Sequence, residues 1–205
     1  MPSGATHDRI TLWMLPLITA ATLILTRSSD LTLIVAGAFL FGGLMLSPDL
    51  DLRSRPYKRW GWFRWIWIPY QKRIGHRSTL SHGLIVGTVL RVVYLMLWIG
   101  LVGAIAIALV LQFSDTTWTW ETLRQQALSL LSRYRYGIAA LFIGLELGAI
   151  SHIASDTIGS TYKRWQKYGW QGLVSGRKSG KPRNARKSSS PRRRTSPRKP
   201  RRTKK

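Results

Sequence analysis

Four stretches of the chain, Ile10–Thr26, Leu31–Ser47, Leu84–Leu111 and Gly137–Ser155, are apolar over about the length a helix needs to cross a lipid bilayer. A hydrocarbon core of about 30 Å takes roughly 20 residues of helix. Inside it every backbone polar group must be satisfied within the segment, so such runs fold as helices that pack through their small residues. The mean hydropathy of −0.05 hides this pattern. It is the sum of a greasy first 160 residues and a strongly basic end.

The first run contains Pro16, whose freed carbonyl a neighbouring helix can satisfy, and Arg27-Ser-Ser-Asp30 forms a turn after it. No small-residue cleavage site follows this run, and it is expected to be retained. The second carries Ala38 and Gly42 as a small-residue pair and stops at Pro48. The third is broken only by Arg91, which is expected to snorkel to the nearer interface, and carries a Gly100, Ala104, Ala108 stripe. In the fourth, steps of four give Ala140, Gly144, Gly148, His152 and Asp156, so a packing face of small residues runs on into a histidine and a carboxylate. Glu146 lies about 120° from His152 around this helix and is assigned a protonated or hydrogen-bonded structural role. Residues Thr116–Tyr136 are amphipathic and expected to lie at the interface. Between Asp49 and His82, Trp60, Trp62, Trp65 and Trp67 alternate with Arg and Lys, the mixture of a segment at the headgroup level or of a tryptophan-rich packed loop.

Four spans fix which ends meet. With His7 on one side, the second span returns to Asp49, the third leaves from His82 and the fourth returns to His152, so all four histidines share a side with Asp8, Asp49, Asp51 and Asp156. That side also carries the eight cations of the 53–77 loop and is therefore read as cytoplasmic, with both termini there.

The formal charge is +24, from 32 Lys and Arg against 8 Asp and Glu. Fifteen of the cations follow Gly176 in a segment without a carboxylate. Residues 173–205 lack the apolar side chains that offset chain entropy and are expected to be a disordered tail rich in Lys, Arg, Ser and Pro. Its partners would be polyanions, either nucleic acid or anionic lipid. The expected architecture is thus all-α: a polytopic membrane helix bundle of about four transmembrane helices over residues 1–172, with an interfacial loop, followed by the basic tail.

Cysteine is absent, so a metal site must use His, carboxylate or backbone oxygen. The candidates are His7-Asp8, Asp49-x-Asp51, His76 and His82 around Arg77, and His152-x-x-x-Asp156. His152 and Asp156 lie about 40° apart on a helix and can reach one ion, or the carboxylate can orient the imidazole. Singly, each motif also has a structural reading: a solvated turn, a helix cap, headgroup contacts, a local hydrogen bond. Imidazole and carboxylate without sulfur suit a divalent ion, Zn²⁺ first, with Mn²⁺ or Fe as alternatives. With as many as eight side chains converging, two ions are an open alternative to the one expected.

The pieces THDRIT, SPDLD, HRSTLSH and SHIASDTIG, in this order between apolar spans, resemble a bacterial membrane family, known mainly from cyanobacteria, that is described as metal-binding. More distantly they resemble an inner-membrane family predicted to be metal-dependent hydrolases. In that family's pattern the two middle histidines are five residues apart, whereas His76 and His82 are six apart, with Ser78 in place of Gly. The resemblance covers roughly residues 1–165 and marks Thr6-His7, Pro48-Asp49-Leu50-Asp51, His76-Arg77, His82 and Ser151-His152 with Asp156. The ligands chosen are His7, Asp49, His82 and His152, with His76 a further candidate. Asp51 and Asp156 are then second ligands or bases, and Arg77 would steady negative charge on a phosphoryl or acyl oxygen. The resemblance implies a bacterial inner membrane, with a thylakoid membrane as an alternative. Three readings stay open: a cytoplasmic-face metal site, with or without hydrolysis of a lipid or phosphoester; a membrane anchor whose tail binds polyanions while the His/Asp set is structural; or a scaffold with no ligand.

Overall fold

The computed structural model describes residues 4–75, 78–113 and 119–170, and no strand occurs among them. The expectations placed on His76, Arg77 and the 173–205 tail lie outside the described residues. The long helices are α1 (Gly4–Thr26), α2 (Ser29–Leu44), α6 (Val86–Gln112) and α8 (Arg135–Tyr168). Between α2 and α6 lie a 3-10 turn (Pro48–Asp51), α3 (Arg55–Arg59), a second 3-10 segment (Gly61–Trp67), α4 (Ile68–Arg73) and α5 (Thr79–His82); α7 is Trp120–Arg133. All four long apolar segments have the length and hydropathy to cross a membrane.

The central pair is α2 against α8. Small residues allow it. A Cβ added at Gly144 would lie 2.5 Å from the Val35 carbonyl oxygen, and one at Gly148 would lie 2.6 Å from the Gly43 nitrogen and 2.7 Å from the Phe39 carbonyl oxygen. From the other side, a Cβ at Gly42 would meet the Leu145 carbonyl oxygen at 2.6 Å. Backbone therefore touches backbone along the face that the four-residue spacing marks out. Helix α1 packs on α2 and on α8. The join between α1 and α2 is tight: Arg27 takes φ +53, and the Ser28 side chain caps α2 by accepting from the Leu31 N–H at 3.3 Å.

The stripe on α6 has no partner at Gly100 among the described residues, since none lies within 4 Å of a Cβ built there. Only the first part of α6 packs inward. There Leu90, Val92, Tyr94, Leu95 and Trp98 meet the segment between α2 and α5 in the main hydrophobic cluster. Trp67 is fully buried at its centre, with ring centroids of Trp60, Tyr94 and Tyr70 at 5.2, 5.4 and 5.6 Å. The Tyr94 hydroxyl donates to the Ile66 carbonyl, and the Trp60 indole N–H donates to the Met45 carbonyl at 3.1 Å. The tryptophans divide by face: Trp60 and Trp67 belong to this packed cap, whereas Trp62 and Trp65 point outward. The segment is thus a folded cap with an exposed aromatic rim.

Arg91 does not snorkel. It is 1% exposed, and its guanidinium donates to the Ser81 carbonyl at 2.7 Å and to the Thr88 hydroxyl at 3.1 Å. The expectation fails because α5 folds back beside the start of α6 and offers the guanidinium a carbonyl within the protein. Just before α6, the Val86 N–H bonds the Leu84 carbonyl at 2.7 Å around Ile85, which has φ +63 and ψ −59, a strained conformation for a β-branched residue. Glu146 holds this turn by accepting the Ile85 N–H at 2.8 Å, which gives the carboxylate within α8 a hydrogen-bonded role.

Candidate metal centre

Four elements deliver side chains to one end of the bundle. His7 comes from the start of α1, Asp49 from the Pro48–Asp51 turn, His82 from the end of α5, and His152 with Asp156 from α8. The turn is rigid for local reasons. Ser47 caps it by accepting from the Asp49 N–H, Pro48 presets its φ, and the Ser54 hydroxyl donates to the Asp49 carbonyl at 2.7 Å. The Gln71 amide adds bonds to the Leu50 and Leu52 carbonyls at 2.9 and 3.0 Å.

His7 and His152 are buried and stack, with ring centroids 4.0 Å apart and planes inclined by 20°. Nε2 of His7 lies 3.3 Å from Asp156 Oδ1, and Nε2 of His152 lies 3.3 Å from Asp49 Oδ2. Nε2 of His82 is 3.9 Å from the other Asp49 oxygen. The protonation of His7 follows from its neighbour. With the Ser155 hydroxyl donating to the His152 carbonyl at 2.8 Å, the 2.5 Å contact between Ser155 Oγ and His7 Nδ1 assigns the ring as donor. In the neutral ring, Nε2 then carries the lone pair and faces a carboxylate oxygen.

Two acceptors facing each other in a buried site are satisfied by a proton or a metal ion between them. His152 Nε2 and Asp156 Oδ1 are buried without a hydrogen bond, which leaves both in need of a partner. The spacing fits as well: ligand atoms about 2.0–2.1 Å from a tetrahedral ion sit about 3.3 Å from one another. The donor set therefore fits a divalent ion. A cleft of about 250 Å³ lined by His82, Ile153, Asp156, Thr157 and Ser160 gives access to it.

Other sequence candidates sit elsewhere. Asp8 is claimed by Arg59, at 2.7 Å to Oδ2 and 3.0 Å to Oδ1, and by Arg55 at 3.1 Å, so it clamps α1 to α3. Asp51 is buried, 5% exposed, and lies outside both groups of potential ligand atoms. His76 and Arg77 are outside the described residues. Sequence reasoning missed two serines. Ser155 orients His7 from 148 residues away, and the Ser81 hydroxyl lies 2.7 Å from His82 Nδ1. Only the adjacency of Ser81 to His82 was visible in the sequence. Arg91, through the Ser81 carbonyl, secures the same short helix and so the position of His82.

A family described as "Uncharacterized metal-binding protein (DUF2227)" matches residues 2–166. An "Uncharacterized protein" of Aquifex aeolicus (strain VF5) is 38% identical over 58 residues, which is 28% of this chain and 40% of that protein. No solved structure matches.

Proposed function

We propose, from the premise that the chain belongs to that family of metal-binding proteins, that it is an integral membrane hydrolase using a divalent ion at the cytoplasmic end of its helix bundle. The observation that carries this reading is the pair of 3.3 Å imidazole–carboxylate contacts, one of them with the His7 lone pair turned toward the carboxylate. Four helices long and apolar enough to span a bilayer, with outward-facing Trp13, Leu25, Val102 and Val110, support the membrane reading. The basic 53–77 loop at the site's end supports the orientation. Zn²⁺ suits the donors best, with Mn²⁺ or Fe as alternatives.

His7, His152 and Asp156, together with Asp49 and His82, would hold the metal. When bound, a divalent ion supplies Lewis acidity that makes water nucleophilic near neutral pH. The protein's own part is to fix the imidazoles through Ser155 and Ser81 and to accept the water's proton on an Asp156 oxygen. Arg77, beside His76, is assigned to the developing negative charge on a phosphoryl or acyl oxygen. A site at a membrane surface suits a lipid or another membrane-delivered ester.

The test is hydrolysis of p-nitrophenyl phosphate, p-nitrophenyl acetate and phosphatidic acid vesicles by detergent-purified protein, chelated and then reloaded with Zn²⁺ or Mn²⁺. Turnover is expected only after reloading, and Asp49→Asn should abolish it. Protein that holds metal yet hydrolyses none of these would leave a metal carrier or structural site and remove the hydrolase.

The tail supports a second binding activity, independent of the site. Its fifteen cations without a carboxylate suit nucleic acid or anionic lipid. Truncation after Gly176 should abolish binding to duplex DNA or to phosphatidylserine vesicles, whichever the parent prefers. With about six phosphates neutralised, affinity for DNA should fall roughly 10³-fold between ~50 and ~200 mM salt. Binding that survives truncation, or ignores salt, would refute the assignment.

A further inference from the structure

The five side chains at the bundle end do not gather around a single point. Their ligand atoms form two groups, His7–His152–Asp156 and Asp49–His82–Asp156, each with all atoms within 4.8 Å of one another. Asp156 belongs to both. Asp49 also spans them, with Oδ2 at 3.3 Å from His152 and Oδ1 at 3.9 Å from His82. We infer that the centre is binuclear, with one divalent ion in the His7–His152 half, a second in the His82 half, and Asp49 and Asp156 bridging them. The inference rests on the metal-binding reading above and departs from the single ion expected from sequence.

Donor supply favours two ions. Three imidazoles and two carboxylates offer more donor atoms than the four that a tetrahedral ion takes, and the surplus is divided between two places. A carboxylate has two oxygens with which to bridge; the residue common to both groups, Asp156, is a carboxylate, and so is Asp49, which turns one oxygen to His152 and the other to His82. Each half also keeps an imidazole oriented from outside: His7 by Ser155 and His82 by Ser81.

Charge then narrows the substrate. Two divalent ions against two carboxylates leave two positive charges for an incoming ligand to neutralise. A phosphate monoester dianion matches that; a neutral acyl ester does not. Paired ions can stabilise both the attacking and the leaving oxygen of a displacement at phosphorus. The cleft lined by His82, Asp156 and Ser160 opens at the His82 half, which places the substrate's approach there.

The experiment is metal stoichiometry of detergent-purified, full-length protein, stripped with chelator and reloaded with Zn²⁺ or Mn²⁺, read by mass spectrometry of the metal and by electron paramagnetic resonance of the Mn²⁺ form. The parent is expected to hold two ions per chain and to show a spin-coupled Mn²⁺ signal. His7→Gln and His82→Gln should each retain one ion and show an isolated Mn²⁺ spectrum. A parent holding one ion with an uncoupled spectrum would overturn the two-ion inference and leave the metal-binding reading standing. A parent holding none would overturn both. Because stoichiometry and coupling are read on the parent, a variant that fails to fold cannot decide the result.

Discussion

A leucine at Gly148 is expected to separate α2 from α8 and unfold the end of the bundle that carries the metal centre. Its Cβ alone would lie 2.6 Å from the Gly43 nitrogen, 2.7 Å from the Phe39 oxygen and 2.9 Å from the Gly42 carbonyl carbon. Overfilled cores usually cost about 1–3 kcal/mol because side chains can turn aside. Here every near atom is backbone, so the helix itself must move and the loss should exceed that range. Gly100→Leu is the matched control, since nothing lies within 4 Å of its Cβ. It should leave stability unchanged. Thermal unfolding in detergent, followed by circular dichroism, separates the two, and metal content should fall only in Gly148→Leu. Equal melting of both variants would refute the close-packed α2–α8 interface.

This contrast shows what the sequence could convey. Both helices carry small residues at a spacing of four, and periodicity states which residues share a face. It does not state which face has a partner. On α8 the stripe meets α2 backbone, whereas on α6 Gly100 of the same pattern meets nothing among the described residues. The convergence of His7, Asp49, His82 and His152 was legible for a different reason: counting spans assigns each helix end to a side, and topology does the rest. What periodicity and topology could not reach were the contacts that fix atoms. Arg91 looked like an interfacial cation because its sequence neighbours are apolar, yet the α5 turn supplies the Ser81 carbonyl at 2.7 Å. Asp8 stood next to a candidate ligand, but Arg55 and Arg59 from α3 take it. Trp67 shared its composition with exposed neighbours and differs from them only in facing Tyr70 and Tyr94.

Those atom-level contacts set the terms of the other large effect. His152→Ala removes an imidazole whose Nε2 lies 3.3 Å from Asp49 Oδ2, and it leaves the Gly148 contact one turn earlier untouched. Helical content should persist while metal affinity falls by more than the roughly 10–100-fold typical of losing an orienting partner. Ser155→Ala makes that smaller change. It deletes the acceptor of the His7 Nδ1–H, so the ring can place its proton on Nε2 and withdraw the lone pair from the site. Affinity should drop about 10–100-fold, and Ser155→Thr, which keeps the hydroxyl, should recover most of it. Acid should release the metal from every form, because protons compete for the imidazole lone pairs, and Ser155→Ala should release it at a higher pH than the parent. Competition with a zinc-chelating dye across a pH series measures all of these. If Ser155→Ala bound zinc as tightly as the parent, the serine would not be setting the tautomer. If His152→Ala kept the parent's full metal content, the His/Asp cluster would be structural and the basic tail would be left as the chain's binding element.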